Sequence, residues 1–319
     1  MLLSWLSGFE TATGPAYLRI ARALEAAVTG GELQPGDRLP PQRLVAEHLG
    51  IDLTTVTRAY SEARQQGLLE GAVGRGSFVR QPPADEAGRV DLTMNLPPIP
   101  EGFDLGRLLA ETTAAVLGRT EPAQLMAYHP EGGSTGQRLA GRRWLEPVLG
   151  PRAPQEILVA PGAQAALTAI FSTLCRPGDV VLAEPLTYPG LISLCRQLGV
   201  RLISCAADGQ GLIPEAVIEV GRRERPRALY LVPTLQNPTA LTLSERRRQA
   251  LASAAAEAGA WIVEDDPYSR LLDAPPPALA ALAPERVIYV ATLAKALTPG
   301  LRLAYVASPP GEMAERLAA

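Results

Sequence analysis

The sequence predicts an α/β fold: a mainly parallel sheet with helices on both faces, preceded by a small helical module that ends in a hairpin. Three observations carry this. Six apolar runs, "EILVAPG", "DVVLAEP", "RLISCA", "RALYLVP", "AWIVEDD" and "RVIYVAT", lie between residues 156 and 292, most of them separated by helix-length intervals. Near-continuous apolar strands with intervening helices mark a sheet buried on both faces. Residues 1–80, in contrast, show helical periodicity broken by glycine turns, followed by two short strand-like runs. Between the two parts, "QPPADEAGRVDLTMNLPPIPEG" is rich in Pro, Gly and acids and reads as a linker. The predicted organisation is a first domain over 1–80, a linker over 81–104 and a second domain over 105–319.

Composition narrows the function classes. At 319 residues the chain exceeds one ordinary core, and 47% hydrophobic with 20% charged residues is globular. A net charge of -3 excludes a polyanion-coating tail but not a small basic face. Cys175, Cys195 and Cys205 form an odd set without a CxxC, and His48 stands far from His129. This pattern points to a reducing compartment and to no metal site. The start, "MLLSWLSGFETATG", lacks the positive leader of a signal peptide. Ile157 to Cys175 is uncharged, but Pro161, Gly162 and Gln164 divide it into strand, turn and buried helix, so no membrane span is expected. A cytoplasmic protein is the expectation.

Within the first domain, the periodicity predicts a helix from Pro15 to Thr29, ended by Gly30 and Gly31, and a second helix opening near Pro41. "AEHLGIDLTTVTRAY" then gives helix, a turn at Gly50, and a third helix from Leu53. That is a helix-turn-helix layout, whose second helix lies in the major groove of double-stranded DNA. Thr54, Thr55 and Thr57 near its start can meet phosphates or base edges, and Arg58 and Arg43 supply positive charge. "LLEGAVGRGSFVR" reads as two strands around Gly74, Arg75 and Gly76, a wing whose arginine can enter a groove. Charge alone does not decide for DNA over a protein-docking module: residues 1–80 hold eight Arg against eight acids, and residues 38–80 six against four. The stretch "GELQPGDRLPPQRLVAEHLGIDLTTVTRAYSEARQQGLLEGAVGRGSFV" resembles the winged helix of GntR-type bacterial repressors. By that resemblance Arg43 matches the arginine of the family's L-P-x-x-R, Thr54 and Thr55 its helix threonines, and Gly76 its wing glycine. Leu53 departs from the arginine that many members carry at the start of the recognition helix, so an operator is not transferable.

The second domain is read from a lysine. Of the 30 Lys and Arg residues, 29 are arginine, and Lys295 stands alone on a turn after "RVIYVAT". An arginine guanidinium stays protonated, whereas a desolvated lysine amine can lose its proton and attack a carbonyl. A lysine imine suggests pyridoxal 5′-phosphate, which needs further partners. "WIVEDDPYSR" offers Asp265 at the end of a strand for the pyridine nitrogen. "VAPGAQAALTAI" offers Gly162, Ala163 and Gln164 at a helix N-terminus, where unpaired N–H groups favour a phosphate. Tyr188 in "EPLTYPG" can stack on the ring, and Asn237 and Tyr268 are candidate partners of the phenolate oxygen. Each alone is an ordinary loop residue. Placed after successive strands, they share the crevice at the strand C-termini where such sheets bind ligands.

From about residue 90 onward the chain is similar to the large domain of the fold-type-I, pyridoxal-phosphate-dependent aminotransferases. The resemblance implies that Lys295 is the cofactor-bonding lysine, and that Thr292 and Arg302 bind the phosphate. It implies that Asp265, three residues before Tyr268, is the pyridine partner rather than Asp266. Asn237 and Tyr268 match the residues at the phenolate oxygen, Gly162, Ala163 and Gln164 the phosphate turn, and Tyr188 the stacking ring. Tyr128, in "MAYHPEGG", resembles a tyrosine that reaches the phosphate of a neighbouring subunit, which implies a homodimer. A winged helix fused to this fold is the arrangement of MocR-type regulators, a branch of the GntR proteins. The implied function is a DNA-binding transcription regulator responsive to pyridoxal phosphate or an amino acid. The alternative is an aminotransferase with the N-terminal module as a docking appendage. Members of the family continue into a small domain whose arginine clamps the substrate carboxylate. That small C-terminal domain is expected to be missing from this chain, which speaks against transamination.

Overall fold

The computed structural model describes all residues except 1–2, 7–8, 10–12, 73–75, 81–94, 98–101 and 130–131. Contacts divide the chain into two compact units, Met1–Leu92 and Thr93–Ala319.

In the first unit, helix α1 (Ala16–Thr29) turns Ile20, Ala21, Leu24 and Ala27 inward, the spacing of a single apolar stripe. Helix α2 (Gln42–Leu49) follows Pro41 and closes at Gly50, whose φ of 62° ends the helix in the left-handed region that glycine reaches without cost. Helix α3 (Leu53–Gln65) starts at Asp52, whose carboxylate accepts the Thr54 N–H at 2.7 Å. Val56, Ala59, Tyr60 and Ala63 form its buried face, which packs on α1. Tyr60 is fully buried and donates its hydroxyl to the Pro40 carbonyl at 3.0 Å, fixing the loop before α2. Strands β1 (Leu69–Ala72) and β2 (Gly76–Val79) pair antiparallel and complete a winged helix-turn-helix. The helices begin within a residue of their expected positions.

The second unit opens with α4 (Leu105–Leu117), the short α5 (Pro122–Leu125) and α6 (Thr135–Leu149), which a Ser134 and Gln137 capping box starts. An alternation follows: β3 (Ile157–Ala160), α7 (Ala163–Leu174), β4 (Val180–Ala183), α8 (Pro189–Leu198) and β5 (Arg201–Ser204). A small hairpin of β6 (Ala207–Asp208) and β7 (Gly211–Leu212) leads to α9 (Pro214–Glu224), β8 (Ala228–Leu231), α10 (Glu245–Glu257) and β9 (Trp261–Asp265). The chain ends with α11 (Leu279–Leu282), β10 (Val287–Thr292), β11 (Ala304–Ala307) and α12 (Met313–Ala318). Seven strands form one sheet in the order β3-β11-β10-β9-β8-β4-β5. All run parallel except β11, which pairs antiparallel with β3 and β10. The six strands expected from sequence are all present; β11 and the β6–β7 hairpin were not expected.

Strand alternation divides the core in two. Val181, Tyr230, Val263, Ile288 and Val290 face α7, α8 and α12. Leu182, Leu229, Leu231, Ile262 and Tyr289 face α6, α9, α10 and α11. Both faces are covered, as the continuous apolar runs require. On the second face the fully buried Arg248 of α10 donates to the carbonyls of Leu243 and Pro233 at 3.0 Å each and to the Thr234 hydroxyl at 2.8 Å. It also lies 3.5 Å from Glu264, which itself accepts the N–H groups of Leu279 and Ala280 at 3.0 and 2.8 Å. Glu264 thereby ties β9 to α10 and α11. Burial, with Asp266 nearby, pushes its carboxyl up, and the Arg248 pairing opposes this. Breaking a buried pair by removing one partner strands the other. Arg248→Met should destabilise this unit by about 3–5 kcal/mol in urea unfolding followed by circular dichroism. Combining it with Glu264→Leu should recover much of that loss.

Candidate functional site

The strand C-termini deliver the predicted residues to one edge of the sheet. After β3, Gly162 caps α7 with φ 96°, and no side chain caps that helix. The first N–H groups of a helix have no internal partner, so this turn presents open donors to an anion. Arg302 lies directly against it: a Cβ on Gly162 would come within 2.8 Å of the Arg302 Nη2. Only a glycine lets the guanidinium approach the helix start this closely. Ala163 and Gln164 form the first turn of α7, and the Gln164 amide donates to the Gly190 carbonyl at 3.3 Å, linking this turn to the start of α8. Strand β11, between β3 and β10, begins just after Arg302, so the unforeseen strand is what returns this arginine to the turn after β3.

At the end of β9 stand three consecutive buried acids, Glu264, Asp265 and Asp266, with different partners. Asp265 is 6% exposed, and its Oδ2 accepts the Tyr230 hydroxyl at 2.6 Å. Its Oδ1 is buried with no hydrogen-bond partner. Burial pushes the Asp265 carboxyl up to about 6, against the opposing effect of Tyr230. Asp266 is saturated: it accepts the Tyr289 hydroxyl at 2.7 Å and the N–H groups of Ser269 and Tyr268 at 2.9 and 3.3 Å. Of the three acids, Asp265 is the one with an oxygen to spare.

The lone lysine follows β10. Lys295 Nζ donates to the backbone carbonyl and the side-chain Oδ1 of Asn95, each at 2.7 Å, and burial lowers its pKa. Thr292 accepts the Ala294 N–H at 3.2 Å and donates to the Leu303 carbonyl at 3.3 Å, fastening the lysine turn to the Arg302 loop. The Tyr268 hydroxyl accepts from the Asn95 Nδ2 at 2.7 Å, and burial pushes it up, against the opposing effect of Asn95 and Asn237. Burial pushes the Tyr188 hydroxyl up, reinforced by the Asp265 charge and opposed by Arg302. Gln236 joins the two loops that carry Tyr188 and Asn237 by donating to the Leu186 carbonyl at 2.6 Å. Tyr128 is not drawn into the crevice; it is 100% exposed. Sequence reasoning missed Tyr230 and Asn95. Tyr230 reads as one more strand residue, and Asn95 sits in a stretch taken as linker, 200 residues from the lysine it contacts.

A set of this kind fits pyridoxal phosphate on its own chemistry. The unpaired Asp265 oxygen lacks a donor such as a ring N–H. The N-terminus of α7, with Arg302 beside it, suits an anion. A partly desolvated amine stands at the remaining corner.

On the first unit, Arg43 is exposed and Thr54 and Thr55 stand at the start of α3. Thr54 also bonds the capping Asp52, and the Thr57 hydroxyl donates to Gln42 at 2.8 Å and to the Leu53 carbonyl at 2.9 Å, bracing α2 against α3. Arg58 stacks on the Tyr17 ring at 3.8 Å. Gly76 has φ 112° with the exposed Arg38 against it, a cation the sequence reading passed over. Arg75 lies outside the described residues.

A winged helix-turn-helix on the same chain as this crevice defines a class: a DNA-binding module fused to an aminotransferase-type fold. Residues 16–79 match the bacterial regulatory proteins of the gntR family, and residues 136–319 match aminotransferase class I and II. The chain is 31% identical to the uncharacterized HTH-type transcriptional regulator YdeF of Bacillus subtilis, over 96% of this chain and 68% of that protein. It is 29% identical to the probable rhizopine catabolism regulatory protein MocR of Rhizobium meliloti, over 93% of this chain and 66% of that protein. Among solved structures it resembles LysN, the α-aminoadipate aminotransferase of Thermus thermophilus complexed with N-(5′-phosphopyridoxyl)-L-leucine. That likeness has TM-score 0.62 and 31% identity, covering 81% of this chain and 64% of that one. The kynurenine aminotransferase of Pyrococcus horikoshii aligns with TM-score 0.61 and 26% identity over 71% of this chain, which spans 59% of that one. The chain belongs to the MocR-type branch of the GntR transcription regulators.

The Asp265 titration has a measurable consequence. A carboxyl raised from 3.8 in the unfolded chain to about 6 contributes stability that is present below the lower value and lost as pH rises through the upper one. Asp265→Asn removes this loss. Its stability at pH 8 relative to pH 4, compared with the parent protein, should rise by about 3 kcal/mol in urea unfolding.

Proposed function

We propose that this chain is a cytoplasmic transcription regulator that binds operator DNA through its winged helix and pyridoxal 5′-phosphate through its second unit. The bound cofactor or an amino acid reacting with it acts as effector. The observation that carries the reading is the buried Asp265 Oδ1 without a partner, on the same chain as a helix-turn-helix. An unpaired buried oxygen costs stability and is retained where a ligand completes it.

In this reading the residues divide the work. Asp265 accepts the ring nitrogen's proton-bearing edge, and Tyr230 holds the carboxylate in place. The α7 N-terminus, with Gly162, Ala163 and Gln164, holds the phosphate, and Arg302 neutralises it. Thr292 fixes the turn between Lys295 and Arg302. Tyr188 covers the ring, and Asn237 and Tyr268 hold the phenolate oxygen. When bound, the cofactor supplies an aldehyde for Lys295 and an electron-withdrawing ring. The exposed Tyr128 serves a second copy of the chain in a homodimer. On DNA, Arg43, Thr54 and Thr55 contact the duplex, with Arg58, Arg75 and Gly76 at its edges; Thr57 braces the recognition helix.

Two measurements test this reading. Purified protein with pyridoxal phosphate should show a visible absorption band that Lys295→Ala abolishes, and absence of the band in the parent protein would refute cofactor binding. Arg43→Ala should weaken binding to the upstream DNA of its own gene and reduce the salt dependence of that binding by about one phosphate contact. An unchanged affinity and salt slope would remove Arg43 from the interface.

A further inference from the structure

The crevice holds a contact that the proposed cofactor role does not use. Asn95 lies three residues beyond Leu92, where the first compact unit ends, yet it reaches the centre of the site in the second. Its backbone carbonyl and Oδ1 each accept from Lys295 Nζ at 2.7 Å, and its Nδ2 donates to the Tyr268 hydroxyl at 2.7 Å. The orientation of the amide is dictated by its partners: a lysine amine on one side offers donors to Asn95, so the oxygen faces it and the nitrogen faces the tyrosine.

We infer that Asn95 is a positioning clamp that holds Lys295 while its amine is free and releases it when the lysine is covalently engaged. The step that rests on the proposed function is condensation with an aldehyde. The neutral Lys295 amine adds to the carbonyl carbon. The carbonyl oxygen leaves as water with the two amine hydrogens, and a carbon–nitrogen double bond forms. The nitrogen then carries one hydrogen at most, taken from solvent, whereas the clamp uses two. At least one of the two bonds to Asn95 is broken, and the nitrogen is drawn toward the ligand that now holds it. Tyr268, the other end of the clamp, is the residue proposed to meet the phenolate oxygen. Occupation of the site therefore acts on both partners of Asn95 together.

Amide hydrogen exchange of the full chain, read in peptides covering Asn95 and Leu96, tests the clamp without any cofactor. Lys295→Ala should speed exchange there severalfold, and an unchanged rate overturns the inference. Adding pyridoxal phosphate to the parent protein should produce the same acceleration. If the cofactor absorption band forms while exchange at Asn95 and Leu96 stays unchanged, the clamp-release idea fails and the proposed function stands. If no band forms, the proposed function fails and release by the cofactor fails with it.

Variants of Asn95 itself give a second readout in an absorbance titration. Asn95→Ala should bind pyridoxal phosphate about fivefold more tightly, the worth of one ordinary hydrogen bond that no longer competes. Asn95→Asp, which pairs its charge with the ammonium, should bind it more weakly. Weaker binding by Asn95→Ala would make the residue a cofactor ligand and overturn the inference.

Discussion

Three adjacent carboxyls buried at the end of one strand set the terms for the second unit. Glu264, Asp265 and Asp266 are all nearly inaccessible to water, and a buried charge is tolerated only where it is paired or well hydrogen-bonded. Strand alternation sends Glu264 to one face and Asp265 to the other. Glu264 meets Arg248 and two backbone N–H groups, which makes it the joint between β9, α10 and α11. Asp266, just past the strand, is saturated by Tyr289 and the following turn, so that turn has one shape and places Tyr268. Asp265 alone keeps an unpaired oxygen. The two neighbours are structural, and because they anchor β9 from both sides the middle acid can be held rigid with an incomplete shell.

The antiparallel strand β11 plays a comparable part for the anion. Inserted between β3 and β10, it turns the chain back so that Arg302 arrives at the N-terminus of α7, nearly 140 residues away in sequence but in contact with Gly162. Glycine there has two uses: its positive φ makes the turn, and its missing side chain gives the guanidinium room. Helix start and arginine are both positive ends, and each repels the other in the absence of a shared anion. Asp265 with an oxygen to spare and two cationic ends facing each other are incomplete in complementary ways, and a ligand with a donor at one end and a phosphate at the other completes both.

Much of this was readable beforehand, because the signals are local. Helix starts at Pro15, Pro41 and Leu53 and stops at Gly30 and Gly50 are short-range chemistry, and six strands announce themselves as unbroken apolar runs. Strand β11 is four residues long and follows the turn "TPGL" so closely that it reads as the tail of a loop. Its existence depends on two neighbouring strands that only the assembled sheet brings together. The candidate site shows the same division. Lysine chemistry and the glycine turn are visible as residue types, whereas the distinction between Asp265 and Asp266 rests on which oxygens find donors. Asn95 shows the limit most plainly, since Pro-rich flanks describe a linker and only a contact across 200 residues reveals a ligand of the lysine.

The choice of lysine at residue 295 then follows from what an arginine would do in the same place. A guanidinium would satisfy Asn95 equally well, and with its fixed charge and five donors it would hold that contact permanently. The amine is held by the same acceptors, yet burial has already lowered its affinity for the proton, and bonding to carbon removes the hydrogens the contact needs. A chain that uses arginine for all its other fixed positive charges therefore reserves lysine for the one position where donor and charge must be able to disappear. The contact with Asn95 is consequently reversible by chemistry at a single nitrogen.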